Sequence, residues 1–216
     1  MQIIFIHGLW RTPLSFTSLS GRLKRQGHTP HFFFYHVALE RFDHIARRYV
    51  KFIRAKTGGR PYAVVAHSLG GIITRVALPH LADCPPRHLI MLTPPNHPVT
   101  LGYVFKNVPF YRLVMGDSGQ KITCPEFYRH LALPTVPTTV IAATDGFYGP
   151  LSPFGDEVND GAVLLAETRL PGVQASYVVP GLHTWMLHSR PVGELVAQVL
   201  ATVEPFPPPA GPTRPA

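Results

Sequence analysis

YAVVAHSLGGI, residues 62–72, is the stretch on which the reading of this chain turns. Five mostly apolar, strand-like residues run into His67, Ser68 and Leu69, and two glycines follow before a new apolar periodicity begins. A serine on so sharp a corner between strand and helix has the pattern of a nucleophile elbow, in which the turn lifts the hydroxyl clear of the backbone. The start of the helix leaves the Leu69 N–H without an intrahelical partner and brings a positive dipole end beside any oxyanion formed at the serine. Gly70 and Gly71 remove side chains where strand and helix pass close. Ala66 stands where the common G-x-S-x-G pattern has its first glycine, a departure of one methyl group.

Outward from this corner the chain alternates strand and helix. Residues 2–7 read as a strand, 13–26 as a helix opened by Thr12 and Pro13 and closed by Gly27, and 30–37 as a second strand. The aromatic run HFFFYHV (31–37) within it reads as a strand buried on both faces rather than as a base-stacking platform. A helix near 41–56 ends at Gly58 and Gly59. Strand 62–67 leads through the corner into a helix over about 69–82. RHLIMLT (87–93), TTVIAAT (138–144) and ASYVVPG (175–181) read as strands, and 190–203 as a last helix. Such βαβ repetition implies a mainly parallel sheet covered by helices.

Length and composition bound the function. The 216 residues suit one soluble domain with a sizeable core. No apolar run approaches the roughly 20 residues that span a bilayer, and MQIIFIHGLW has neither a basic leader nor a small-residue cleavage site. With only Cys84 and Cys124, a disulfide framework is not expected, and a cytoplasmic setting is. The formal charge of +8 invites a nucleic-acid reading, densest in RFDHIARRYVKFIRAK (41–56). There, however, Ile45, Tyr49, Phe52 and Ile53 fall at helical spacing while Arg47, Arg48, Lys51 and Arg54 lie largely on the other sides. That is a solvated surface helix, so no nucleic-acid partner is expected.

Two segments break the rhythm. Residues 94–136 are rich in proline and hold YVFKNVPFYRLVM, which reads either as a lid-like substrate wall or as a packed excursion of core helices. The tail PFPPPAGPTRPA (205–216) buries too little apolar surface to offset its ordering entropy and is expected to be mobile, leaving 1–204 as the domain.

A serine nucleophile needs a base, and the base an orienting carboxylate. Ligands of such sheets sit beyond the carboxyl ends of the strands. His183, in YVVPGLHTW, follows a late strand; His188 has no such position, and no histidine shows metal-ligand spacing such as H-E-x-x-H. The acid could be Asp145, directly after TTVIAAT, or Asp156 in FGDEVND, or Asp160 in NDGAV. FIHGLW (5–10) turns tightly at the end of the first strand and frees the N–H of Leu9 as a second oxyanion donor beside that of Leu69. His7 serves to shape that turn.

In this order IHGLW, AHSLGG, NDGAV and GLHTW resemble the α/β-hydrolase superfamily, and within it the bacterial lipases and esterases, over residues 3 to about 203. The resemblance implies a compact α/β fold of about six mainly parallel strands with helices on both faces and no separate cap domain. It implies Ser68 as nucleophile, His183 as base and Asp160, 23 positions before the histidine, as acid. The Asn159 and Gly161 turn frames that carboxylate better than the Gly- and Pro-rich loop after Asp145. The oxyanion donors are then Leu9 and Leu69, with Trp10, His67, Phe105, Phe110 and Met115 against a small-molecule or lipid ester and no metal or organic cofactor required. MLTPPNHPVT (91–100) is similar to a T-P-N-x-G-S segment that opens the cap in such lipases, with Pro98 and Val99 in place of Gly-Ser. A thioesterase or acyltransferase would use the same three residues. A binding protein that keeps the fold without turnover would not need them.

Overall fold

The computed structural model describes residues 1–105 and 109–203, and side chains outside 103–113. The expected tail, 205–216, lies outside the described residues. Six strands, β1 (Gln2–Ile6), β2 (Thr29–Phe33), β3 (Tyr62–His67), β4 (His88–Leu92), β5 (Thr138–Ala143) and β6 (Ala175–Val179), form one sheet in the order β2-β1-β3-β4-β5-β6. Every pairing is parallel.

Successive residues of a strand face opposite sides, and here both sides are covered. Ile4 and Ile6 of β1, with Val64 and Ala66 of β3, join one apolar cluster. Ile3 and Phe5, with Ala63 and Val65, join the other. The first cluster is closed by α2 (Phe42–Thr57) and α3 (Leu69–Ala77), the second by α1 (Thr17–Arg25) and α8 (Arg190–Ala201). This explains why β1, β3, β4 and β5 are uninterrupted runs of buried residues. In α2, Phe42, Ile45, Ala46, Tyr49 and Ile53 are buried, and Arg47, Lys51 and Arg54 point to solvent, as the periodicity predicts.

The run HFFFYHV departs from expectation. It is not a strand buried on both faces: β2 stops at Phe33 on the edge of the sheet, and Phe34 is 48% exposed. Only Phe33, Tyr35 and Val37 are buried, so the aromatic run caps the edge and continues as loop over the end of β1. An apolar run by itself does not say whether a strand has one neighbour or two.

The segment after β4 folds as three helices, α4 (Thr100–Phe105), α5 (Pro109–Lys121), broken at Gly116, and α6 (Pro125–His130). Val99 and Ile122 from this segment belong to the first core cluster. A short helix, α7 (Leu165–Thr168), precedes β6. No helix among the described residues is long and apolar enough to cross a membrane.

Candidate active site

The chain leaves β1 to form β2 on one side and β3 on the other, so the strand order reverses between β1 and β3. At such a point the loops leaving the carboxyl ends separate and open a crevice. Three non-glycine residues among those described have positive φ, Trp10 (54°), Ser68 (52°) and Thr93 (46°). They follow β1, β3 and β4, and all three lie at this end of the sheet. Left-handed backbone is costly for a residue with a Cβ and costlier for a β-branched one, so each such turn is held by its surroundings.

Ser68 sits at φ 52°, ψ −124°, between β3 and α3. Its N–H donates to the Leu92 carbonyl at 2.9 Å, which fixes the corner to β4. A Cβ on Gly70 would stand 2.6 Å from the Ile6 carbonyl oxygen, so only glycine lets α3 start this close to the end of β1. One on Gly8 would stand 2.8 Å from both His67 Nδ1 and Ser68 Cβ, and the loop after β1 therefore rests directly on the serine. The N–H groups of Leu9 and Leu69 donate to no group among the described residues.

Three side chains from three loops meet at Ser68. His183 Nε2 lies 2.9 Å from Ser68 Oγ, and His183 Nδ1 lies 2.7 Å from Asp160 Oδ2. Asp160 is 1% exposed. Its Oδ1 accepts from the N–H groups of Ala162 (3.0 Å) and Val163 (2.8 Å), the tight turn expected around NDG, and its Oδ2 accepts also from the Thr93 hydroxyl. Burial by itself would raise the carboxyl pKa. The hydrogen bond and charge of His183 outweigh it, with Thr93 and the Val163 N–H, and hold the group below the ordinary carboxylate value. The Asp160 carbonyl accepts the His183 N–H at 2.8 Å, so acid and imidazole are joined through backbone as well as side chain.

Asp145 is exposed, and its carboxylate has no partner among the described residues; its N–H donates to the Gly181 carbonyl at 2.9 Å, which orders the loop leading to His183. Asp156 and His188 are also exposed, and neither is hydrogen-bonded to Ser68 or His183. His7 is buried, gives its Nδ1–H to the Gly8 carbonyl, and takes the N–H of Tyr35 on Nε2. Burial lowers its pKa against that hydrogen bond, so it remains a neutral part of the turn.

His67 is 1% exposed and packs on the His183 ring at 4.9 Å between centroids. Its Nε2–H donates to the His183 carbonyl at 2.9 Å, and its Nδ1 is buried with no partner. Burial first, and the neighbouring His183 second, lower its pKa to about 3. Neither this contact nor the Thr93 hydroxyl on Asp160 was anticipated from the sequence. The MLTPPN segment and the histidine before the serine were visible there, but nothing in them specifies the loop geometry that makes the bonds.

A pocket of about 610 Å³ opens over Ser68. Leu9, Val99, Leu101, Met115 and Ile122 make one apolar wall, so residues from the 94–136 segment are core and wall at once. Trp10 lines the mouth, with its Nε1–H directed at Met115 Sδ, 3.3 Å away. Met115 and His67 both line the pocket; the side chains of Phe105 and Phe110 lie outside those described. Glu167 ties this wall to the Asp160 turn, since its carboxylate accepts the N–H of Thr100 (2.7 Å) and of Leu164 (3.0 Å), the residue next to Val163, whose carbonyl takes the Asp160 N–H. Among the described residues no group of three or more His, Cys, Asp or Glu could hold a metal ion.

The sequence signature of the alpha/beta hydrolase family matches residues 3–215. Among solved structures, phospholipase PlaB from Legionella pneumophila superposes with a TM-score of 0.63 at 21% identity over 78% of this chain, which spans 46% of the PlaB chain. The Bacillus licheniformis lipase BlEst2 superposes with a TM-score of 0.66 at 20% identity, over 93% of this chain and 90% of its own. The thioesterase RedJ from the prodiginine pathway of Streptomyces coelicolor gives 0.61 at 15%, over 94% and 90%. At these identities the likeness is one of fold. No curated protein sequence matches the chain.

Proposed function

The chain belongs to the alpha/beta hydrolase family, and from that premise we propose that it hydrolyses carboxylic esters through an acyl-enzyme formed on Ser68. The observation that supports this reading is the unbroken line of hydrogen bonds from Ser68 Oγ through the two nitrogens of His183 to Asp160. A protein that only bound ligands would not need that line.

Ser68 Oγ attacks the ester carbonyl carbon and passes its proton to His183 Nε2. The carbonyl π electrons move to oxygen, and the N–H groups of Leu9 and Leu69 hold that oxyanion; they are free to do so because no acceptor among the described residues claims them. Collapse breaks the bond to the alcohol, which leaves with the proton from Nε2. Water then gives a proton to Nε2 and its hydroxide to the acyl carbon, and the second collapse frees the carboxylic acid and returns the proton to Ser68. Asp160 keeps the Nδ1 proton in place and stabilises the imidazolium at each stage. The apolar wall of Leu9, Val99, Leu101, Met115 and Ile122 receives the acyl chain, and its extent suits short to medium chains.

Hydrolysis of p-nitrophenyl and glyceryl esters of graded chain length, with the matching thioesters, tests the reading. Ester turnover that is lost in Ser68→Ala supports it. A strong preference for thioesters would move the assignment to a thioesterase, and absence of turnover on every acyl donor would leave a binding protein.

A further inference from the structure

The walls of the pocket rise from opposite faces of the sheet and differ in chemistry. Val99 and Ile122 belong to the core cluster under α2 and α3. The lining also takes in Leu182, Thr184, Trp185 and Arg11, from the segments that enter the 3-10 turns Trp185–His188 and Pro13–Phe16, which contact one another and carry Met186, Leu187 and Phe16 of the other cluster; these residues make the second wall. His183 belongs to this second wall. Its Nε2 must hand a proton to the departing oxygen, so the leaving group lies on the second wall when the acyl chain lies on the first.

Arg11 is the one guanidinium among the described residues that line this pocket. It is exposed at the mouth, and its side chain makes no hydrogen bond or ion pair with the described residues. It lies near enough for its charge to act on His67, next to the serine. Trp185 and Phe147, 68% and 69% exposed, flank the same mouth. A fork of donors with no partner among the described residues, at a pocket that apolar rings also line, is suited to an amphiphile with a planar or tetrahedral anion at its polar end. At so exposed a position one ordinary charge pair contributes little. A phosphate monoester brings nearly two charges and three acceptor oxygens to the same fork.

We propose that Arg11 is an anion subsite and that the ester this protein hydrolyses carries a phosphate on its leaving group. The proposal rests on the hydrolytic reading for its orientation. The phosphate belongs either to an acylglycerol phosphate, an oxygen ester, or to an acyl phosphopantetheine, a thioester whose hydrolysis would also move the proposed function to a thioesterase; the two place it at short and long distance from the scissile carbonyl.

The experiment compares kcat/KM for octanoyl glycerol with octanoyl glycerol phosphate, and for octanoyl pantetheine with octanoyl phosphopantetheine, in the native protein and in Arg11→Gln and Arg11→Lys. The expected native preference for a phosphate-bearing substrate over its neutral counterpart is about tenfold, falling by about tenfold in Arg11→Gln, less in Arg11→Lys, and also falling in 0.5 M salt. Whichever phosphate substrate shows the preference identifies the source. A phosphate-to-neutral ratio in Arg11→Gln within about twofold of the native ratio overturns the subsite. Binding of octyl phosphate and octanol to Ser68→Ala, with and without Arg11→Gln, reads the subsite without turnover. Octyl phosphate binding that depends on Arg11 while no ester is hydrolysed would retain the subsite and remove the hydrolytic reading. Ester turnover with no dependence of either measurement on Arg11 would do the reverse.

Discussion

His67 Nε2–H donates to the backbone carbonyl of His183 across 2.9 Å, so the residue before the serine holds the residue that carries the imidazole. Their chain positions are 116 apart, and the bond joins the β3 corner to the loop after β6. In the proposed mechanism His67 is thus a positioning residue. Its replacement by Leu should leave the His183 carbonyl without a donor, at a cost of about 1–3 kcal/mol, and lower kcat by about tenfold with a smaller change in KM. Gln, whose amide N–H can reach the same carbonyl, should recover most of kcat. Steady-state kinetics with denaturant unfolding checks this, and Gln behaving like Leu would contradict it.

Burial of neutral His67 has a further consequence for stability. Its folded pKa of about 3 is below the ordinary 6.5, so between these values the unfolded chain binds a proton that the folded chain does not. Stability therefore falls as pH drops below about 6.5, by about 1.4 kcal/mol per unit from this group alone, and levels off near its folded value. His7 and His88, also lowered by burial, act in the same direction. Urea titrations from pH 7.5 to 4.5 should show the slope, and His67→Gln should flatten it.

Thr93 donates its hydroxyl to the same Asp160 oxygen that takes the His183 proton. Thr93→Val keeps the shape and removes the donor, and should lower kcat by about tenfold with KM nearly constant, because Thr93 does not line the pocket. Thr93→Ser, which keeps the hydroxyl and tolerates the positive φ better, should stay within about threefold of native. Parallel losses in both variants would argue for a packing role only.

The choice of acid separates two positions that sequence topology alone leaves open. Asp160→Asn should leave the fold intact and lower kcat by roughly 10⁴-fold, through the wrong imidazole tautomer, as in the serine-protease precedent. Asp145→Asn, at an exposed carboxylate with no partner among the described residues, should cost less than about threefold. Kinetics of the two variants side by side decide between them.

Much of the fold could be read from period and punctuation. The apolar runs at β1, β3, β4 and β5 and the helical stripe of α2 follow from local chemistry, and so does parallel pairing, because long helical crossovers separate the strands. Ser68 and His183 could be placed together because each follows a strand end, and all parallel strands end on one side; Asp160, far from either neighbouring strand, was legible only through the resemblance of its NDGAV turn. What local chemistry does not hold is lateral order. HFFFYHV has the composition of a central strand and lies on an edge, since nothing within seven residues counts a strand's neighbours. The Thr93 and His67 contacts were hidden for a related reason. Each depends on a left-handed backbone or a loop-to-loop distance fixed only when remote segments pack.

Intact-protein and peptide mass spectrometry after exposure to a fluorophosphonate ester addresses the central claim most directly, because phosphonylation requires a serine activated by its base and beside oxyanion donors. The account predicts one adduct per chain, on Ser68, formed in step with loss of ester hydrolysis, and no adduct in Ser68→Ala or, on the same time scale, in His183→Ala. An unmodified Ser68 in protein that still turns over esters, or an adduct on another residue that abolishes turnover, would contradict it.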